Sequence, residues 1–151
     1  MTRLRVEVQG LEGLRRKFDQ LQIDKALRAA MHKATRLLER DVTQRTPVDT
    51  GRLRSSIGSE VKGLGSNIVG SVGSNVVYAP YVEHGTRPHW PPIAAMETWA
   101  RRHGMTAFVA ARAIARFGTR ARRMFQGALE AKGREVQQIF DDAIAELVGR
   151  L

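Results

Sequence analysis

The strongest constraint in this chain is an apolar stripe at helical spacing, Leu27, Met31, Ala34, Leu38 and Val42, flanked by Ala30 and Leu37. Residues three and four apart share one face of an α-helix, so these positions predict a single long amphipathic helix. Lys33, Arg36, Glu39, Arg40 and Asp41 fill its outer face. Asp24 stands where an N-cap is expected. The end is set at Thr46-Pro47, because proline disfavours helical backbone at the residue before it. A helix of about 22 residues spans about 33 Å. One apolar face of that length has to be covered, and the rest of the chain must supply the cover.

The composition changes after the helix. Gly51, Gly58, Gly63, Gly65, Gly70, Gly73 and Gly85 punctuate short β-prone runs. Strands are predicted over Ile57–Lys62, 67–72 and 75–78, with Gly-Leu-Gly-Ser-Asn and Gly-Ser-Asn as hairpin turns. A further strand opens the chain, where Leu4, Val6 and Val8 alternate with Arg3, Arg5, Glu7 and Gln9 until Gly10. Leu11, Leu14, Phe18 and Leu21 then read as a short helix over 11–21.

Pro88, Pro91 and Pro92 mark a rigid loop, after which helical patterns return. One is predicted over 93–103, with Ile93, Met96, Trp99 and Ala100 on its apolar side. A second, alanine-rich, covers Ala107–Phe117 and stops at Gly118. The last covers 128–148, with Leu129, Val136, Phe140, Ala143 and Leu147 as its stripe. The expected fold is α+β in one domain over 1–151. A small antiparallel sheet packs against a long N-terminal and a long C-terminal helix, with short helices between. The loops at about 63–75 and 85–92 are candidates for segments that order on assembly.

The residues offer little chemistry. There are no cysteines, which removes disulfides, thiolate metal sites and cysteine nucleophiles. His32, His84, His89 and His103 form no pair at metal-binding spacing, and a site at Glu83-His84 and His89 would need a distant carboxylate to which the sequence does not point. Gly70-Ser71-Val72-Gly73-Ser74 lacks the lysine and following helix of a phosphate loop. Asp49 and Glu83 act as acid and base only if the fold brings them together, and a hydrolase using Asp49, Glu83 and His84 is the weakest reading. No cofactor or metal is expected. The opening MTRLRVEVQG has no apolar run of signal-peptide length, and nowhere do 18 apolar residues follow one another, so neither secretion by such a signal nor a membrane partner is expected.

Charge points to partners instead. The chain has 25 basic and 15 acidic residues, a formal charge of +10. No acidic residue lies between Glu97 and Glu130, whereas Arg101, Arg102, Arg112, Arg116, Arg120, Arg122 and Arg123 do. Arg112, Arg116 and Arg120 share a face if their helix runs that far. The segment is either a solvated arginine face or a surface for phosphate or carboxylate groups, and the missing counter-charges favour the second. A nucleic-acid-binding protein acting nonspecifically on DNA phosphates is therefore one reading. Against it, no reader motif is present, and Trp90 and Trp99 do not interleave with the arginines as a stacking platform would.

Two segments are more elaborate than loops require. The first runs Thr46-Pro47-Val48-Asp49-Thr50-Gly51-Arg52-Leu53-Arg54-Ser55-Ser56-Ile57. Asp49 or Thr50 can cap a new helical turn, Gly51 permits a tight backbone, and Leu53 and Ile57 return to the core. The second runs Tyr78-Ala79-Pro80-Tyr81-Val82-Glu83-His84-Gly85-Thr86. A strand is predicted to end at Tyr78, Pro80 to start one helical turn and Gly85 to close it. Glu83 is expected to meet Arg52 or Arg54 in a structural salt bridge.

These two motifs, in this order, resemble the gene-product-ten-like tail-component family of tailed bacteriophages. Ile114, Ala115, Arg116, Gly118, Thr119 and Phe125 resemble its second half, so the likeness runs over about residues 20–145. Arg123-Met124 stands where members often have proline. The resemblance implies a structural virion protein with no catalytic residues. Such a tail-completion or head–tail joining protein would form a ring, commonly a hexamer, around the DNA channel at the neck. Its partners would be a head-completion (stopper) protein and a tail terminator or tail-tube protein, with assembly in the host cytoplasm. The residues carrying the resemblance are Thr46, Pro47, Asp49, Thr50, Gly51, Arg52, Leu53, Ser56, Tyr78, Ala79, Tyr81, Glu83, Gly85, Thr86, Gly118 and Thr119.

Overall fold

The computed structural model describes residues 2–7, 20–64 and 67–149. Helix α1 spans Gln20–Arg45. Ile23, Leu27, Met31, Ala34, Leu38 and Val42 on its inner face are buried. The helix begins before Asp24, which lies within it rather than capping it. Leu21 belongs to α1, while the remainder of the helix expected over 11–21, together with Val8 and Gly10, lies outside the described residues or merges into α1.

Strands β1 (Thr2–Glu7), β2 (Ile57–Lys62) and β3 (Val69–Ser74) form one antiparallel sheet in the order β1-β3-β2. The register sets Leu4 beside Val72 and Val6 beside Gly70 on one side, and Ile57 beside Ser74 and Val61 beside Gly70 on the other. The central strand is the one expected over 67–72, shifted by two residues, and it occupies much of the segment 63–75 that is also a candidate for ordering on assembly. Gly70 has a packing reason: a Cβ there would sit 2.4 Å from Thr35 Cγ2 and 2.6 Å from Met31 Sδ, so α1 can lie this close to β3 only over a glycine.

The strand expected over 75–78 does not form. Ser74 Oγ accepts the Val76 N–H at 3.1 Å and Ala79 N–H donates to Val76 O at 3.1 Å, which turns the chain instead of extending it. The turn delivers it into α3 (Ala79–His84), whose second residue is Pro80. Gly73-Ser74-Asn75 is thus a strand end leading into a helix, not a hairpin turn. Helix α2 is the short Arg52–Ser55 turn.

Helices α4 (Ile93–Arg102), α5 (Ala107–Phe117) and α6 (Met124–Val148) complete the chain. Helix α6 begins at Met124, ahead of Ala128, where its sequence pattern starts. It buries Met124, Phe125, Ala128, Val136 and Phe140 against α1, in one core with the inner face of the sheet. Leu129, which its sequence position assigns to this stripe, is 45% exposed. Lys132, four residues from both Ala128 and Val136, is half-buried. Ile93 likewise points outward on α4, where Ala100 is the buried residue. Residues 2–7, 20–62 and 69–148 thus form an α+β unit in which two long helices sandwich the chain's core over a three-stranded sheet.

Candidate functional site

The first motif closes α1 and starts the sheet. Thr46 is buried, donates its hydroxyl to Val42 O at 2.7 Å and lies 3.4 Å from Met124 Sδ, so the end of α1 is tied to the start of α6. Arg54 Nη2 donates to Thr46 O at 3.1 Å, satisfying a carbonyl that the helix end leaves open. Gly51 has a φ of 82°, a left-handed conformation that glycine adopts at little cost. Thr50 Oγ1 accepts the Arg52 N–H at 3.4 Å, whereas Asp49 caps nothing and pairs with Arg102 at the end of α4. Leu53 and Ile57 are in the core.

A chain of hydroxyls joins this motif to β3. Ser56 donates to Leu53 O at 2.7 Å and therefore accepts, at 2.7 Å, from Ser74, which in turn accepts from Val76 N–H at 3.1 Å. Both hydroxyls thus donate into the relay, and neither proton is left without an acceptor.

The second motif is a clamp. Glu83 is 2% exposed. Its Oε2 accepts the Phe125 N–H at 3.0 Å and its Oε1 accepts the Gln126 N–H at 2.9 Å. These are orphan donors of the first turn of α6, where a negative charge also suits the helix dipole. The expected salt bridge from Glu83 to Arg52 or Arg54 is therefore absent: the carboxylate is consumed as a cap supplied from another helix. The residue in the N-cap place, Arg123, has a φ of 47° and offers no side-chain cap. Backbone contacts reinforce the joint, with Arg122 N–H to Val82 O at 2.9 Å and Arg123 N–H to Glu83 O at 3.1 Å.

Thr86 and Thr119 then pair as an antiparallel bridge, with N–H to O contacts of 3.1 and 3.2 Å and their hydroxyls 3.0 Å apart. Gly85 and Gly118 precede them with φ of 72° and 69°. A Cβ on Gly85 would lie 2.3 Å from Thr119 O, and one on Gly118 2.0 Å from Thr86 O. The two Gly-Thr pairs are thus two halves of one crossing that only glycine permits. In the sequence alone Gly118 reads as a helix stop. The repeated Gly-Thr dipeptide is the signal that points to the pairing.

This crossing is the base of an αα-hairpin formed by α4 and α5, which pack chiefly on each other. Their buried residues, Ala100, Ala110 and Ala111, stand apart from the main core. Trp99 stacks on His103 at 4.2 Å between ring centroids, and Thr106 caps α5 by accepting the Val109 N–H at 3.3 Å. Of the arginines in the acid-free segment, Arg102 and Arg123 find carboxylates through the fold, Asp49 and Glu130. Among the described residues Arg101, Arg112, Arg116, Arg120 and Arg122 are in no ion pair. Helix α5 ends at Phe117, so Arg120 lies beyond Gly118 and does not extend the face of Arg112 and Arg116.

The acid–base reading loses its geometry. Asp49 is held by Arg102 and Glu83 by α6, so the two carboxylates serve different joints. Among the described residues no three His, Asp or Glu side chains converge on a point that would hold a metal, and no helix is long and apolar enough to cross a membrane. Of the remaining motif residues, Ala79 is fully buried, while Tyr78 and Tyr81 are 41% and 60% exposed and belong to the surface.

Residues 12–85 match the model of the family described as "Bacteriophage HK97-gp10, putative tail-component". No curated protein and no solved structure matches the chain. The match includes α1, both sequence motifs as far as Gly85 and the β2–β3 hairpin. It ends before the hairpin of α4 and α5, so Ile114, Ala115, Arg116, Gly118, Thr119 and Phe125 lie outside it. The description is of a phage tail component, and a tail component resides in the virion. Over the stretch that builds α1, the β2–β3 hairpin and the Glu83 cap, just under half of the chain, the sequence is similar to the HK97-gp10-like family of phage tail components.

Proposed function

We propose that the chain is a ring subunit that joins head to tail at the neck of the virion. The reading places it between a head-completion (stopper) protein and a tail terminator or tail-tube protein, encircling the DNA channel, with six copies as the expected number. The observation that carries it is the tail-component match over residues 12–85. The clamp supports it, because Glu83, Gly85 and Gly118 are used to hold out a basic hairpin rather than to build a cleft. Among the described residues β1 and β2 are the outer strands of the sheet, and outer strands suit assembly between subunits.

The test is assembly in the absence of this chain in its producing host. Unjoined heads and tails are expected, with joined particles restored by adding the purified protein. Joined, infectious particles formed without it would overturn the proposal. A second reading, nonspecific binding to DNA, is favoured by the five arginines without an ion pair. It predicts duplex binding whose salt slope falls by about one for each arginine–phosphate pairing removed, read from Arg116→Ala and Arg120→Ala.

A further inference from the structure

Helix α5 turns two adjacent rows outward. Val109, Ala113 and Phe117 make an apolar row, and Phe108, Arg112 and Arg116 a mixed one, each in steps of four residues. Phe117, Val109 and Phe108 are 72%, 55% and 54% exposed. Trp90, itself half exposed, meets Phe108 in a T-shaped contact at 5.8 Å between ring centroids. The Arg116 guanidinium lies 5.1 Å over the Phe117 ring. A contiguous apolar face rimmed by cations marks an interaction surface.

The same chain carries a complementary face on the C-terminal half of α6. Asp141 and Asp142 are exposed neighbours whose side chains, among the described residues, accept from amides and not from cations: Gln137 Nε2 at 3.0 Å and Gln138 Nε2 at 2.7 Å. By contrast, Glu7, Asp41, Asp49, Glu60, Glu130 and Glu135 each pair with a cation of their own chain. Ala145 and Val148 follow Asp141 on the same side, and Val148 is 49% exposed. Acidic and apolar groups therefore stand side by side here, as basic and apolar groups do on α5.

We infer that the α5 face of one copy, with Trp90, docks on the Asp141–Asp142 face of α6 in a second copy. Arg112 and Arg116 meet the two aspartates, and Val109 and Phe117 cover Ala145 and Val148. A DNA duplex would engage the arginines and leave the apolar row in water, whereas a second copy satisfies both. The two faces differ, so the contact is heterologous and propagates head to tail, closing into a ring when the rotation per step allows. The inference deepens the ring reading above and rests on it only for the closure.

Charge reversal tests it by sedimentation velocity and native mass spectrometry of the full chain. The wild-type chain is expected to self-associate. Arg112→Glu/Arg116→Glu and Asp141→Lys/Asp142→Lys are each expected to weaken association by at least about tenfold, since like charges then face each other. An equimolar mixture of the two variants is expected to re-form the oligomer with alternating copies, which also shows that both variants are folded. A wild-type oligomer that survives both reversals overturns the assigned faces and leaves the joining role standing. A wild-type chain that is monomeric at every concentration overturns the inference. A monomer that binds short duplex DNA through Arg112 and Arg116 overturns it in favour of nucleic acid. The joining assay above fails or succeeds independently of these outcomes.

Discussion

The body and the hairpin of this protein are both helical, yet they are held together differently. In the body, α1 and α6 bury Leu27, Met31, Leu38, Val42, Phe125 and Phe140 along their whole length. Each such side chain removes enough apolar surface from water to stabilise the fold by about 1.5–3 kcal/mol. In the hairpin, the buried residues of α4 and α5 are alanines, and the large apolar side chains Phe108, Val109 and Phe117 face outward. Alanine brings little transfer free energy. The hairpin is therefore positioned by its base, through the Thr86–Thr119 bridge and the Asp49–Arg102 pair, more than by a core of its own. The same residue classes serve stability in one region and recognition in the other, and the difference is what covers them.

The largest effect is expected in the body. Leu38→Ala should cost about 3–4 kcal/mol in chemical denaturation, because Leu38 is fully buried between α1 and its neighbours. A loss under about 1 kcal/mol would mean that the two regions do not differ in the way described. Next comes the joint between them. Glu83→Ala strands the Phe125 and Gln126 N–H groups at the buried start of α6 and should cost about 2–3 kcal/mol, measured the same way.

Gly118→Ala should cost about 1–3 kcal/mol in backbone strain. It is also expected to open the hairpin base locally. Hydrogen exchange should then speed up at the Thr86, His89 and Thr119 amides while the α1 amides stay protected. Uniform acceleration across α1 would show that hairpin and body unfold as one unit. The smallest effect is expected on the hairpin face. Phe108→Ser should change the stability of the monomer by no more than about 0.5 kcal/mol, because over half of the side chain is already in water. A larger loss would make Phe108 a packing residue and remove it from the proposed interface.

Local patterns make much of this fold legible. The stripe of α1, the β2 boundaries, α5 with its terminal glycine and the proline start of α3 follow from rules that act within a few residues. What stays hidden depends on partners far apart in sequence. Nothing near Glu83 shows that its carboxylate caps a helix more than forty residues later. Gly70 reads only as a weak point in the strand predicted over 67–72 until α1 lies against it. Leu129 and Leu147 look alike in sequence, yet the fold leaves the first 45% exposed and buries the second. The arginine segment looks free of counter-charge because Asp49 and Glu130 reach it from outside the run.

Local chemistry along the chain is enough for the α+β class, the two long amphipathic helices, the antiparallel sheet and the two motifs that resemble a phage tail component. Periodicity, turn chemistry and proline geometry are short-range, so they act before any tertiary contact forms. The β1-β3-β2 order, the capping of α6 by Glu83, the Gly85–Gly118 crossing and the choice of which apolar residues remain outside arise only once the elements pack. Those depend on which surfaces meet, and burial, hydrogen-bond satisfaction and close approach are properties of the pair rather than of either segment.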